Sequence, residues 1–219
     1  ASEGLPLKAG PCLPEGRKGH NIKGKYLTGK PFGILRAVSS AERPRPLGRG
    51  ASHRVQGGEL MLLTELPFHL PGRIFRSPMP FSVYDPEGDS FLQFKREKGS
   101  LIVLLAEEEE CMERAGKNLK SFYLQEGFQV LHLPIPDFDV PSKEDLEEAI
   151  KKTIEHARAG QNIVIHCHAG LGRTGLFVAY VVKRVLGLSS EEAILWTRKY
   201  IPGALETYEQ NKMVMDDGT

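Results

Sequence analysis

Several things are scarce in this chain of 219 residues, and each scarcity narrows what it can be. Cysteine occurs only three times, at Cys12, Cys111 and Cys167. An odd count without framework spacing argues against a disulfide scaffold and suits a reducing compartment. No apolar run approaches the roughly 18 residues of a membrane-spanning helix. The N-terminal stretch lacks the apolar core of a secretory signal, so the expected setting is cytoplasmic. No second His/Cys cluster with ligand spacing accompanies His166, Cys167 and His168, and three consecutive residues cannot readily face one tetrahedral ion. A metal site is therefore not expected. Neither an internal repeat nor a nucleotide loop of the form Gly-x-x-x-x-Gly-Lys-Ser/Thr is present. The net charge of +1 says little about partners.

The distribution of charge says more. Residues 1–58 hold 11 Lys/Arg against 3 Asp/Glu, a net of +8, whereas residues 59–219 carry a net of −7. The first segment also contains 11 Gly and 6 Pro, a share near the ~25–30% typical of poorly folding chains. We read 1–58 as a basic Gly/Pro-rich extension and 59–219 as the folded domain. The extension is either a flexible leader or an arm for an acidic partner, a membrane surface or nucleic acid. Its Arg-rich, acid-poor start is also that of an organelle transit peptide, but without the amphipathic helix. Phe32–Val38 is its best candidate for order.

From residue 59 the pattern becomes periodic. Leu60–Leu66 and Arg73–Arg76 predict short strands, and Ser90–Lys98 a short helix. Ser100–Leu105 and Phe128–Leu133 predict buried strands, with a helix from Glu107 onward whose acidic first turn suits the helix dipole. The run Glu107–Glu110 is taken as the solvated start of that helix. Ser142 and Asp145 open a helix with Leu146, Ala149, Ile150, Ile154 and Ala157 on one face, ended by Gly160. A strand at 162–166 precedes an apolar helix from Gly175 to Leu186, closed by Gly187, and Ser189 with Glu192 caps another. Alternating strands and helices predict an α/β fold with a central, mostly parallel sheet flanked by helices.

The chemistry concentrates in His166-Cys-His-Ala-Gly-Leu-Gly-Arg-Thr-Gly175. A strand, a tight loop and a helix turn backbone N–H groups toward an anion at the positive end of the helix dipole. A thiol at the mouth of such a loop is a ready nucleophile. Arg173 can grip two phosphoryl oxygens at once, which a lysine cannot. Gly170 and Gly172 allow close approach of the backbone. Thr174 can donate its hydroxyl to the cysteine sulfur when that sulfur becomes a leaving group. A carboxylic acid must protonate the departing oxygen, and Pro134-Ile-Pro-Asp-Phe-Asp-Val-Pro141 offers two, Asp137 and Asp139.

The pattern His-Cys-x-x-Gly-x-x-Arg-Thr resembles that of the cysteine-dependent protein-tyrosine phosphatase superfamily, on its dual-specificity side. The resemblance covers roughly residues 70–214 and leaves the extension unmapped. It implies a nucleophile at Cys167 and a phosphate cradle made by His168, Ala169, Gly170, Leu171, Gly172 and Arg173. It further implies a general acid best matched by Asp137, with Asp139 as the alternative. His166 would order the loop, and His168 would either add positive charge near substrate or face solvent. Pro202–Gln210 is similar to the family's late glutamine-bearing segment. There Gln210 would orient the hydrolytic water or be an ordinary helix-surface residue, and Glu206 stands where tyrosine-specific members carry a glutamine.

The implied activity is hydrolysis of phosphate monoesters through a phospho-cysteine, with no metal or organic cofactor. Phosphotyrosine and phosphoserine/threonine proteins are the expected substrates, because no counterpart of an aromatic recognition loop is evident. Phosphoinositides, inositol phosphates or RNA 5′-phosphates are the alternative. A non-catalytic phosphate-binding module is the reading from another class. A monomer is expected.

Overall fold

The computed structural model describes residues 62–218. The expectations for residues 1–58, for Phe32–Val38 and for the boundary at residue 59 lie outside the described residues. Five strands form one sheet in the order β1-β2-β5-β3-β4. They are β1 (Thr64–Leu66), β2 (Ile74–Ser77), β3 (Gly99–Leu104), β4 (Gln129–His132) and β5 (Asn162–His166). All neighbours run parallel except β1, which meets β2 antiparallel. The helices are α1 (Asp89–Arg96), α2 (Glu108–Ala115), α3 (Leu119–Gln125), α4 (Lys143–Arg158), α5 (Gly172–Leu186), α6 (Ser190–Tyr200) and α7 (Tyr208–Asp216). Among the described residues, no helix is long and apolar enough to cross a membrane.

Alternate residues of each strand point to opposite faces, and the core divides accordingly. Leu101, Val103, Ile163 and Ile165 join one cluster with α4, α5 and α6. Ile102, Leu104 and Val164 join another with Phe91, Phe94, Leu119 and Tyr123 of α1 and α3. With both faces covered, the central strands read as continuous apolar runs. The chain after β5 therefore leaves from the sheet's centre, between two packed layers.

The expected caps are present. Ser142 accepts from the Asp145 backbone N–H, and Ser189 with Glu192 forms a reciprocal capping box. Two elements differ from expectation. The helix from Glu107 stops at Gly116, left-handed at φ 66°, and Asn118 caps a separate α3. The apolar helix begins at Gly172 rather than Gly175, which puts Arg173 in its first turn.

Candidate active site

β5 ends on His166 and passes the chain to the reactive loop at the carboxyl edge of the sheet. The loop is clamped from three sides. Leu105 N–H donates to the His166 carbonyl at 3.0 Å, Met79 N–H to the His168 carbonyl at 2.8 Å, and Gly175 N–H to the Leu171 carbonyl at 2.7 Å. Gly170 adopts φ 74°, and a Cβ there would lie 2.4 Å from the Ser77 carbonyl oxygen. Only glycine fits that turn. The backbone N–H groups of Ala169, Gly170, Leu171, Gly172 and Arg173 have no acceptor among the described residues, as an anion cradle at a helix start requires.

Cys167 is buried at the floor of the loop, where the Thr174 hydroxyl donates to its Sγ at 3.2 Å. Behind it, His166 is enclosed. A carbonyl can only accept, so Nδ1 carries the proton and donates to the Cys167 carbonyl at 3.0 Å, leaving Nε2 to accept from the Tyr123 hydroxyl at 2.9 Å. Burial pushes His166 down to about 4 and Tyr123 well above the usual phenol range, so both are neutral near pH 7. His166 thus touches the loop through the Cys167 carbonyl.

Arg173 joins the two loops. Its side chain is 2% exposed, and Nη1 donates to Glu110 Oε2 at 2.6 Å and to the Ile135 carbonyl at 2.9 Å. Nη2 donates to Glu110 Oε1 and to Asp137 Oδ1, both at 2.8 Å. Nε–H alone has no partner among the described residues. Burial opposes the charge, but the Glu110 hydrogen bond and the charges of Cys167, Glu110 and Asp137 more than offset it, so its pKa is raised. Burial likewise opposes the Glu110 charge, and Arg173 outweighs it. The Glu107–Glu110 run is therefore not simply a solvated helix start: Glu110 is 9% exposed and aimed inward.

The acid loop brings only one of its two candidates to the arginine. Asp139 Oδ1 accepts from the Val140 N–H at 2.8 Å, within its own turn. Gln210 is buried, not on the helix surface. Its Oε1 accepts from Glu206 N–H, its Nε2 donates to the Asp139 carbonyl at 3.4 Å, and its amide lies against Gly172. It thus sits between the acid loop and the reactive loop.

His168 packs against Tyr84, ring centroids 5.0 Å apart. Its buried Nε2 has no partner among the described residues, and burial lowers its pKa. A ring nitrogen of His168 and oxygens of Glu110 and Asp137 lie within 4.8 Å of one another. On distance the trio could hold a cation, but both carboxylates already grip Arg173, so an ion would enter against a guanidinium. The trio is better understood as the arginine's cradle.

Sequence reasoning missed Glu110, Tyr123 and Tyr84. Glu110 had no distinguishing signal among four successive glutamates. Tyr84, 51% exposed, packs on His168, and Phe138, 61% exposed, follows Asp137; neither ring was marked by the linear pattern.

A family described as "Polymorphic toxin system, DSP-PTPase phosphatase" matches residues 87–185. Protein tyrosine phosphatase domain-containing protein 1 of Danio rerio is 30% identical over 88 residues, 40% of this chain and 12% of that protein. Tyrosine-protein phosphatase cdc-14 of Caenorhabditis elegans is 33% identical over 85 residues, 39% of this chain and 12% of that protein. The chain thus covers about an eighth of each of these two relatives. Among solved structures, Tk-PTP in its active form is 32% identical, with a TM-score of 0.58 over 70% of this chain and 97% of that one. Kinase associated phosphatase, 21% identical with a TM-score of 0.63 over 69% and 90%, shares the fold.

Proposed function

Given that the chain belongs to the cysteine-dependent protein-tyrosine phosphatase superfamily, on its dual-specificity side, we propose that it hydrolyses phosphotyrosine, and phosphoserine/threonine as well, through a phospho-cysteine. The observation that carries this reading is the convergence of three groups. Cys167 lies on the loop floor, Arg173 borders it, and Asp137 sits 2.8 Å from the same guanidinium.

In the first displacement the Cys167 thiolate attacks phosphorus. The S–P bond forms, the P–O bond breaks, and Asp137, which leaves Arg173 and takes up a solvent proton on substrate binding, gives that proton to the departing oxygen. The equatorial oxygens rest on the loop N–H groups and on Arg173. A phosphoryl group that takes two arginine donors uses Nε–H, which has no partner among the described residues, and the Nη2–H that Asp137 holds. Substrate binding thereby releases Asp137 toward the leaving group. In the second displacement, water loses a proton to Asp137 and attacks phosphorus. The Thr174 hydroxyl stabilises the sulfur as it leaves, and Gln210 orients that water. Exposed aromatic rings at both loops, Tyr84 on His168 and Phe138 next to Asp137, support an aromatic phosphoester, and a free nucleophilic thiol suits a reducing cytoplasm. No step calls for a metal.

The test is phosphate release from phosphotyrosine peptide, phosphoserine/threonine peptide, phosphoinositide and 5′-triphosphate RNA, in chelator-treated buffer. Turnover of phosphotyrosine peptide should vanish in Cys167→Ser and fall at least about a hundredfold in Asp137→Asn. A preference for the lipid or the RNA would replace the substrate class. Turnover surviving in Cys167→Ser would overturn the mechanism.

A further inference from the structure

Two arginines of neighbouring sequence have opposite surroundings. Arg73, just before β2, is half-exposed and pairs with Glu65 at 2.6 Å and Glu97 at 2.5 Å. Arg76, within β2, has no acid against it among the described residues. It is half-buried, and its Nε is enclosed with no partner among the described residues. Burial pulls its pKa down, and the Cys167 charge is what opposes that. A guanidinium withdrawn from water without a carboxylate is costly, so its place calls for an anion.

The sheet register says which anion. Arg76 stands opposite Ile165 on β5, so its side chain emerges on the face that Ile165 shares with Cys167 two residues on. The residues after Arg76 form the wall of the reactive loop. The Ser77 carbonyl lies under Gly170, and Met79 N–H holds the His168 carbonyl.

The other charges near the loop leave the sulfur short of positive charge. Arg173, from α5, is shared between two carboxylates, Glu110 from α2 and Asp137 from the acid loop. His166, at the end of β5, is neutral, and burial lowers the pKa of His168. Glu206, ahead of α7, lays a carboxylate oxygen against Gly172. Arg114, on α2, acts on His168 and Glu110 from the exposed side. On the sulfur's own side, among the described residues, the sources not cancelled by an acid are the α5 N-terminus and Arg76.

We propose that Arg76 is a positioning residue for the nucleophile, a second cation that stabilises the Cys167 thiolate from the sheet side while Arg173 serves the phosphoryl group. The proposal rests on the reading of Cys167 as the nucleophile.

The experiment is the pH dependence of Cys167 alkylation by iodoacetamide. It is followed by mass spectrometry of the Cys167 peptide in the full chain, so it does not depend on turnover. Arg76→Met and Arg76→Gln remove the charge, and Arg76→Lys keeps it. The acid limb of the profile should move up by about one pH unit in the charge-free variants. That is about a tenfold slower reaction at acid pH. Arg76→Lys should stay close to wild type. An unchanged profile in a cooperatively melting Arg76→Met or Arg76→Gln protein would overturn the proposal. Failure of both to fold would assign Arg76 to stability and overturn it equally. Turnover in Cys167→Ser protein is read separately, so the loss of the mechanism and the loss of this proposal are distinct results.

Discussion

The reactive loop and the acid loop meet at one guanidinium, yet they are built in opposite ways. Residues 166–175 are held by backbone bonds to β2, to the end of β3 and to α5, with the sulfur and the histidine behind it out of solvent. The acid loop turns mostly on itself: Phe138 N–H donates to Asp137, Asp139 N–H to the Pro136 carbonyl, and Val140 N–H to Asp139. Its anchors are the buried Ile135, whose N–H binds the Leu105 carbonyl, and Gln210 on the Asp139 carbonyl. Asp137 itself is 40% exposed and is located by Arg173. Cys167 is thus positioned by folding, whereas Asp137 is positioned by a single contact, for which substrate would compete under the proposed mechanism. Under that mechanism, pre-organisation is concentrated where the bond to phosphorus would form.

The change that should break both halves at once is Arg173→Lys. A point charge cannot hold Glu110, Ile135 and Asp137 together or grip two phosphoryl oxygens. We expect kcat/KM to fall about a thousandfold in steady-state assays. Glu110→Gln removes the support of the arginine and leaves the arginine in place. An expected loss of about a hundredfold, with lowered thermal stability, would separate positioning from direct contact.

A change of pH, read against His166→Asn, tests the reactive-loop side through its buried histidine. His166 is held near 4 in the folded chain against an ordinary value of 6.5, with burial the main cause. Below about 6.5 the unfolded chain takes up a proton that the folded chain refuses, so this contribution is present above that value. It is lost as pH falls toward about 4 and amounts to about 3 kcal/mol. Urea titrations at pH 7 and pH 4.5 should show that loss in wild type, and a shallower one in His166→Asn. The smallest effect should come from the acid loop's own turn. Asp139→Asn should change kcat/KM by less than about threefold, because that side chain caps Val140 and does not touch the arginine.

Much of this was legible in order along the chain. The helix caps at Ser142 and Ser189, the buried strands and the reactive loop are set by residues within a few positions of one another. That is the range over which periodicity, capping and glycine geometry act. That Asp137 and not Asp139 meets Arg173 rests on a single 2.8 Å contact that no spacing rule contains.

Glu108 and Glu110 show the limit. Two positions apart in one acidic run, the first pairs with Lys120 at the surface and the second with the buried Arg173. The sequence by itself determined which groups could do the chemistry, because nucleophile, cradle and arginine are contiguous. The tertiary structure decided which distant residues serve them. Glu110 meets Arg173, Tyr123 meets His166 and Gln210 lies against Gly172, while Arg76 shares a sheet face with Cys167, because β5 inserts between β2 and β3, and strand order in a sheet arises from long-range pairing.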